Sequence, residues 1–123
     1  MKKILLVEDD EIMLRMYKRL FMFGGFEVVI ACNGMDGLAL AREIEFDAII
    51  LDVMMPEMNG LELLAIAKND ESLKHIPIVM LSNLAMEHEI SNARSLGAHM
   101  YLIKNDHEPK KVFEMVTKHL KFD

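Results

Sequence analysis

Five short apolar runs, separated by amphipathic stretches, constrain the fold of this chain more than any other feature. Each run is apolar at every position, whereas a strand that is buried on only one face alternates between apolar and polar residues. The runs are Ile4–Val7, Val28–Ile30, Ala48–Leu51, Ile78–Leu81 and Met100–Ile103. We therefore predict five strands that are covered on both faces, as in a parallel sheet that lies between helices.

The stretches between the runs have the spacing of helices. The clearest stripe lies between the first two runs, where apolar residues recur every three or four positions until Gly24 and Gly25 end the pattern. Its members are Ile12, Met13, Met16, Tyr17, Leu20 and Phe21. Later stripes comprise Met35, Leu38, Ala39 and Ile44; Leu61, Leu64 and Ala65; Ile90, Ala93 and Leu96; and, after Pro109, Val112, Phe113, Val116 and Leu120. Strand and helix thus alternate five times, which predicts right-handed crossovers and helices on both faces of the sheet.

Length and composition limit the classes of function. The chain has 123 residues, of which 52% are hydrophobic and 28% charged, and we expect one domain, residues 1–123, with its own core. A net charge of −6 disfavours nucleic-acid binding, which needs a basic surface. The single cysteine, Cys32, is typical of a reducing cytoplasm, and no apolar stretch approaches the ~18 residues of a membrane span. We expect a cytoplasmic protein that contacts neither nucleic acid nor membrane, with most of its 12 methionines in the core.

Charged residues stand at the ends of three predicted strands. Glu8, Asp9 and Asp10 follow the first strand, Asp52 follows the third and Lys104 the fifth. In open parallel sheets, ligands bind at the carboxyl ends of the strands, beside the point where the strand order reverses. Clustered carboxylates repel one another, and Mg²⁺, which takes oxygen ligands and only one or two protein carboxylates, relieves that repulsion. Asp10 is interpreted instead as the cap of the first helix.

The same groups are suited to phosphoryl transfer. An aspartate accepts a phosphoryl group when the donor is aligned and the developing charge is neutralised, which predicts Asp52 as the acceptor. The Lys104 ammonium would hold a phosphoryl oxygen as a point charge. Ser82 places a hydroxyl at the same edge of the sheet. The alternatives are a solvated surface lysine and a serine that only forms a turn.

Together these motifs resemble the response-regulator receiver family of two-component signalling, over the whole sequence. The segment 52–60, Asp-Val-Met-Met-Pro-Glu-Met-Asn-Gly, matches the phosphoacceptor turn of that family, and the segment 6–10, Leu-Val-Glu-Asp-Asp, matches its acidic pocket. The resemblance implies an α/β, flavodoxin-like (βα)5 three-layer sandwich, with a five-stranded parallel sheet of order 2-1-3-4-5. It also implies that a sensor histidine kinase or a histidine phosphotransfer protein phosphorylates Asp52.

The resemblance further implies a metal site. Mg²⁺ would be bound by Asp9, Asp52 and the backbone carbonyl of Met54, with Glu8 acting through water. Such a protein is not an enzyme in the usual sense, because the Mg²⁺-dependent phosphoryl transfer and the later self-dephosphorylation occur on its own Asp52.

Ser82 and Tyr101 correspond to the switch pair of the family. In that scheme the serine hydroxyl moves toward the phosphoryl group and the aromatic ring turns inward. The signal would then pass to a downstream target protein through the face built from the fourth helix, the fifth strand and the fifth helix.

Two residues depart from the pattern of the family near the site. Asn105 follows Lys104, where the family usually has a proline joined by a cis bond, and a cis bond before a non-proline residue costs roughly 3 kcal/mol. We therefore predict an altered and more mobile loop over residues 105–108. Asn83 replaces a small residue after Ser82, and it would either crowd the phosphoryl pocket or hydrogen-bond to its rim.

Other departures concern the lifetime of the phosphoryl group and the oligomeric state. Met54 and Leu84 occupy the positions that flank the path of the attacking water in the family, and both lack groups that would orient it, so we expect a long-lived phosphoryl state. The acidic pair and the Lys-Pro-Phe of receivers that dimerise upstream of winged-helix domains are absent, and we expect a monomer. The start at Met1 and the short tail after the last stripe favour a stand-alone protein.

Two other classes of function remain as alternatives. A small flavodoxin-like enzyme or nucleotide binder would need a glycine-rich phosphate loop after the first strand, where acids stand instead. A receiver-like module that binds proteins without phosphorylation is the stronger alternative, because Asn83 and Asn105 alter the surroundings of the site.

Overall fold

A five-stranded parallel sheet forms the centre of the computed structural model, which describes residues 1–83 and 86–120. The strands are β1 (Lys3–Val7), β2 (Glu27–Ala31), β3 (Ala48–Leu51), β4 (Ile78–Ser82) and β5 (Met100–Ile103). The helices are α1 (Glu11–Phe23), α2 (Gly34–Glu43), α3 (Gly60–Lys68), α4 (Glu87–Ser95) and α5 (Pro109–Leu120). All neighbouring strands are parallel and their order is β2-β1-β3-β4-β5, which confirms the predicted flavodoxin-like fold.

Alternate residues of each central strand enter two separate cores. Leu5 and Ile49 pack with α2, α3 and α4, whereas Ile4 and Ile50 pack with α1 and α5. Successive side chains of a strand point to opposite faces, so a continuous apolar run supplies both cores at once. The two helical layers therefore follow from the same runs that predict the strands.

Three predicted core positions are wrong, because Ile12, Met35 and Ala39 are exposed. Ile12 is 80% exposed, and it lines a groove between α1 and α5 instead of entering the core. Met35 is exposed as well, and α2 packs on the sheet through Leu38, Ala41 and its glycines. A Cβ atom on Gly37 would lie 2.8 Å from a methyl carbon of Val7, so the close approach of α2 requires a residue that carries no hydrophobic signal in the sequence.

The prediction that most methionines lie in the core holds for seven of the 12. Met55 and Met80 are buried, and the partly buried ones that pack against the two cores are Met13, Met16, Met58, Met100 and Met115. The exposed ones are Met1, Met22, Met35, Met54 and Met86. Branched aliphatic and aromatic side chains occupy most of the interior, and methionine is left at the margins of both cores.

The predicted helix boundaries have clear physical causes. The carboxylate of Asp10 accepts hydrogen bonds from the backbone N–H groups of Ile12 and Met13, which confirms its capping role. α1 ends at Phe23 with Gly24 as its cap residue, and the next residue, Gly25, has a φ of +93°, which favours glycine. Within the described part of the chain, none of the helices is long and apolar enough to cross a membrane.

Candidate functional site

The acidic residues converge where the strand order reverses, at the carboxyl ends of β1 and β3. The backbone N–H of Asp52 donates to the carbonyl of Val7 (3.1 Å), which aligns the two strand ends. Glu8, Asp9 and Asp52 each offer one carboxylate oxygen, and these three oxygens lie within 4.8 Å of one another. Glu8 and Asp52 are buried, whereas Asp9 is exposed.

Lys104 joins this cluster from the end of β5. Its Nζ donates to an oxygen of Glu8 and to Oδ2 of Asp52 (3.2 Å), and its side chain is only 8% exposed. Burial opposes the charge of the ammonium, but the hydrogen bond that Lys104 donates to Glu8 and the charge of Asp52 outweigh burial and raise the pKa of Lys104. The lysine therefore stays charged and holds the two carboxylates in place.

Glu8 is the most strongly perturbed group of the pocket. Burial raises its pKa from 4.5 to about 7, although the hydrogen bond with Lys104 acts in the opposite direction. The neighbouring carboxylate of Asp52 adds to the increase. Close to neutral pH, a proton therefore competes for the oxygens of Glu8 with any cation that enters the pocket.

The turn after β3 fixes the position of Asp52 through its backbone. The N–H of Met54 donates to Oδ1 of Asp52 (3.3 Å), and the N–H of Gly60 returns to the carbonyl of Val53 (2.9 Å). A Cβ atom on Gly60 would lie 2.1 Å from the carbonyl oxygen of Asp52, so only glycine allows this approach. Glu57 adopts a left-handed φ of +67° in the same turn.

Ser82 and Tyr101 lie next to each other on neighbouring strands. Ser82 is fully buried at the end of β4, and Tyr101 is half-buried on β5 against the core under α2, α3 and α4. Burial raises the pKa of Tyr101, and a hydrogen bond with Ser82 opposes the increase. The two residues predicted to form the switch pair are thus in contact.

The loops after β4 and β5 are joined by a hydrogen bond of Asn83, the residue expected either to crowd the phosphoryl pocket or to hydrogen-bond to its rim. The side-chain oxygen of Asn83 accepts the backbone N–H of Asn105 (3.1 Å). Proline has no N–H group, so this bond exists only because residue 105 is not proline. The chain continues as a short 3₁₀ turn, Lys104–Asp106, and every peptide bond between described residues is trans. The altered path of this loop agrees with the expectation, while its mobility stays a prediction.

A groove of about 430 Å³ opens beside the acidic cluster. Asp9, Met54 and Glu89 line it, so the first turn of α4 forms one wall. Sequence reasoning missed Glu89, for which the only signal is its place in the first turn of the helix after Ser82. Leu84, predicted to flank the attacking water, lies outside the described residues.

Comparison with known proteins agrees with this arrangement. The sequence profile of the response regulator receiver domain matches residues 4–117, so the chain belongs to the receiver family of response regulators. It is 34% identical, over 84% of either chain, to the polar-differentiation response regulator DivK of Brucella anthropi.

Solved structures show the same fold. The chemotaxis protein CheY4 of Vibrio cholerae superposes with a TM-score of 0.89 at 30% identity, over 96% of this chain and 98% of that one. The Mn²⁺-bound form of the response regulator Rcp1 superposes with a TM-score of 0.85 at 28% identity, over 99% and 94% of the respective chains. Receiver domains are signalling modules rather than enzymes in the usual sense, and their acidic pocket corresponds to the cluster around Asp52.

Proposed function

We propose that a histidine kinase or a histidine phosphotransfer protein transfers a phosphoryl group to Asp52. The observation that carries this proposal is the contact of the buried Lys104 ammonium with Asp52, beside the oxygens of Glu8 and Asp9. Membership of the receiver family supports phosphorylation-dependent two-component signalling. The chain from residue 1 to residue 123 is proposed to act as one receiver domain.

Mg²⁺ is the cofactor that suits the pocket best. All the proposed ligand atoms are oxygens, and the groove lined by Asp9 and Met54 leaves room for the waters that Mg²⁺ retains. Asp9, Asp52 and the backbone carbonyl of Met54 would hold the ion, with Glu8 acting through water. When bound, the ion supplies positive charge that neutralises the oxygens of the phosphoryl group. The response regulator Rcp1, to which this chain is similar, has been solved in a Mn²⁺-bound form, which supports a divalent cation as the cofactor.

Two side chains of the pocket would contact the phosphoryl group directly. Lys104 would neutralise a phosphoryl oxygen, and the hydroxyl of Ser82 would donate a hydrogen bond to another once the end of β4 moves toward Asp52. That movement would take Ser82 away from Tyr101 and let the ring turn inward. The consequence is a population shift in the face of α4, β5 and α5, which a downstream target protein would recognise.

The experiment that tests this function is the intact mass after incubation with acetyl phosphate, with and without Mg²⁺. Mass is a suitable probe because the chain contains no tryptophan whose fluorescence would report on the site. We expect a Mg²⁺-dependent gain of one phosphoryl group that Asp52→Asn abolishes. Asp36→Asn, at an exposed aspartate in the first turn of α2, is the matched control and should be phosphorylated normally. A folded protein that gains no mass would favour the phosphorylation-independent interaction module.

The residues at the mouth of the pocket support the proposal of a long-lived phosphoryl state. Met54 is 57% exposed and lines the groove beside Asp9, where its thioether cannot orient an attacking water as an amide would. Met54→Asn, combined with Leu84→Glu, should therefore accelerate dephosphorylation, followed as the decay of the phosphorylated mass. Met22→Asn, at an exposed methionine of α1, is the control. An unchanged decay rate in the double variant would contradict the proposal.

The composition of the chain supports a proposal for the surroundings of the protein. A monomer in the cytoplasm, without direct contact to nucleic acid or membrane, agrees with the net charge of −6 and the single cysteine. Receiver domains act between phosphodonor proteins and downstream targets, and those two classes of protein are the proposed partners.

A further inference from the structure

Two histidine rings meet at the end of the sheet opposite to Asp52. His99 directly precedes β5, and its backbone N–H donates to the carbonyl of Ile78 at the start of β4 (2.8 Å). His119 lies in the last turn of α5. The ring centroids are 5.3 Å apart, with an angle of 73° between the ring planes, and both residues are exposed. The acidic pocket, by contrast, lies at the carboxyl ends of the strands.

The spacing of the two rings suits a shared metal ion. An imidazole nitrogen lies about 2.0–2.1 Å from a bound metal, and with the ring centre roughly 1 Å further and a tetrahedral angle, two ligating rings have centroids about 5 Å apart. The observed 5.3 Å is close to that value. Because His99 precedes β5 and His119 lies on α5, the fold places the backbones of the two residues close together before any ion binds.

The surroundings of the rings indicate which ion would bind. A groove of about 730 Å³ runs beside them, and its other lining residues are Met100, Met115, Lys118 and Leu120. The described lining thus contains no carboxylate, and its one cationic group repels cations that are held by charge alone, so Mg²⁺ and Ca²⁺ are poor occupants. Thioether sulfur is a soft ligand that selects Cu⁺, and imidazole binds copper as well.

We propose that His99 and His119, together with a thioether of Met100 or Met115, bind one Cu⁺ ion. Met100 begins β5, directly after His99, and Met115 lies on α5 together with His119. The start of β5 and the helix α5 therefore each offer one imidazole and one thioether. The bound ion would join the start of β5 to the end of α5. These two elements belong to the face proposed to carry the signal, so copper would stiffen that face without touching Asp52.

The test uses untagged Cys32→Ser protein as the parent, since the exposed thiol of Cys32 would compete for Cu⁺. Cu⁺ is titrated anaerobically against a chromogenic chelator, with Mg²⁺ in excess to occupy the acidic pocket. We expect one equivalent of Cu⁺ in the parent and its loss in His99→Ala and in His119→Ala. His75→Ala, at an exposed histidine outside the groove, is the matched control and should retain the equivalent.

The sulfur ligand is tested separately, by X-ray absorption at the copper edge. The parent should show nitrogen and sulfur scatterers, and the double variant Met100→Leu, Met115→Leu should lose the sulfur contribution. Circular dichroism establishes that each variant is folded. Equal Cu⁺ binding by the parent and both histidine variants would overturn the proposal. So would a parent spectrum without sulfur, since the rings would then act without the thioethers.

Discussion

α1 and α4 flank the acidic pocket on opposite faces of the sheet, and they are held to the protein very differently. α1 has 13 residues and buries Leu14, Tyr17 and Phe21. α4 has nine residues, of which only Ala93 is buried. The carboxylate of Asp10 caps the start of α1, whereas the residue at the start of α4, Met86, provides no side-chain hydrogen bond.

An aromatic cluster strengthens the α1 side further. The rings of Phe21, Phe26 and Phe113 pack edge to face, with centroids 5.1 to 6.2 Å apart, and Phe113 brings α5 into the same layer. α5 approaches the end of α1 so closely that a Cβ atom on Gly24 would lie 2.2 Å from the ring of Phe113. Within the described part of the chain, α4 takes part in no comparable cluster.

The difference identifies the element that is free to respond to phosphorylation. Regions with few buried apolar contacts open at lower free energy than the packed core, so α4 is expected to shift before α1 does. α4 also follows Ser82 and Asn83 along the chain and forms a wall of the groove beside Asp9. A change at Asp52 would therefore move α4, while α1 and the strands β1 and β3 packed against it serve as a fixed frame.

The largest expected effect tests the packing of that frame. Phe21→Ala removes a fully buried ring from the aromatic cluster and should lower the free energy of unfolding by about 4 kcal/mol, measured by urea denaturation. Phe23→Ala is the control on the same helix, because Phe23 is 84% exposed, and it should change the value by less than about 0.5 kcal/mol. Similar losses of unfolding free energy in both variants would show that the buried aromatic cluster does not anchor α1.

The next effect concerns the pocket between the two helices. The folded pKa of Glu8, about 7, exceeds its ordinary value of 4.5, so its contribution to stability is complete below pH 4.5 and is lost as the pH rises through 7. In buffer without divalent cations, this loss should reach on the order of 2–3 kcal/mol between about pH 5 and about pH 8.

Glu8→Gln provides the control for the pH effect, because glutamine stays neutral over the whole range. The difference in unfolding free energy between the variant and the wild type should grow in favour of the variant as the pH rises. Mg²⁺ should reverse part of the loss in the wild type, since a cation favours the ionised carboxylate. A difference in unfolding free energy that does not depend on pH would show that burial does not raise the pKa of Glu8.

A smaller effect compares the two helix starts directly. Met86→Ser supplies the missing side-chain cap and should stabilise α4 locally by about 1 kcal/mol, and Asp10→Ala should destabilise α1 by a similar amount. Hydrogen exchange of the helix amides measures both. Met22→Ser, at an exposed methionine away from the helix starts, serves as the control. If Met86→Ser left the protection of α4 unchanged, the absent cap would not explain its weak attachment.

The smallest effect concerns the bond between the two loops. Asn83→Ala removes the acceptor for the Asn105 N–H and should cost about 0.5–1 kcal/mol locally, seen as faster exchange of that amide. Asn105→Pro removes the donor, whereas Asn105→Ala keeps it and is the matched control. We expect Asn105→Pro and Asn83→Ala to loosen α4 more than α1. Equal changes in both helices would mean that the bond does not restrain α4.

Much of the fold could be predicted because its signals are local. The five apolar runs end within one residue of the observed strands, and Asp10 caps α1 as its sequence context indicates. The errors at Ile12 and Met35 have a common cause. Helical spacing identifies a face of a helix, but whether a residue at the end of that face meets the sheet depends on the path of the neighbouring elements.

The sequence by itself determined the succession of strands and helices along the chain. It also determined the presence of acids, serine and lysine at the strand ends, because both features depend on residues that are close along the chain. Only the tertiary structure decided the contacts of Lys104 with Glu8 and Asp52, which are 96 and 52 residues away. It also decided the raised pKa of Glu8 and the pairing of His99 with His119. Desolvation and contact between distant residues depend on which elements become neighbours, and no local pattern contains that information.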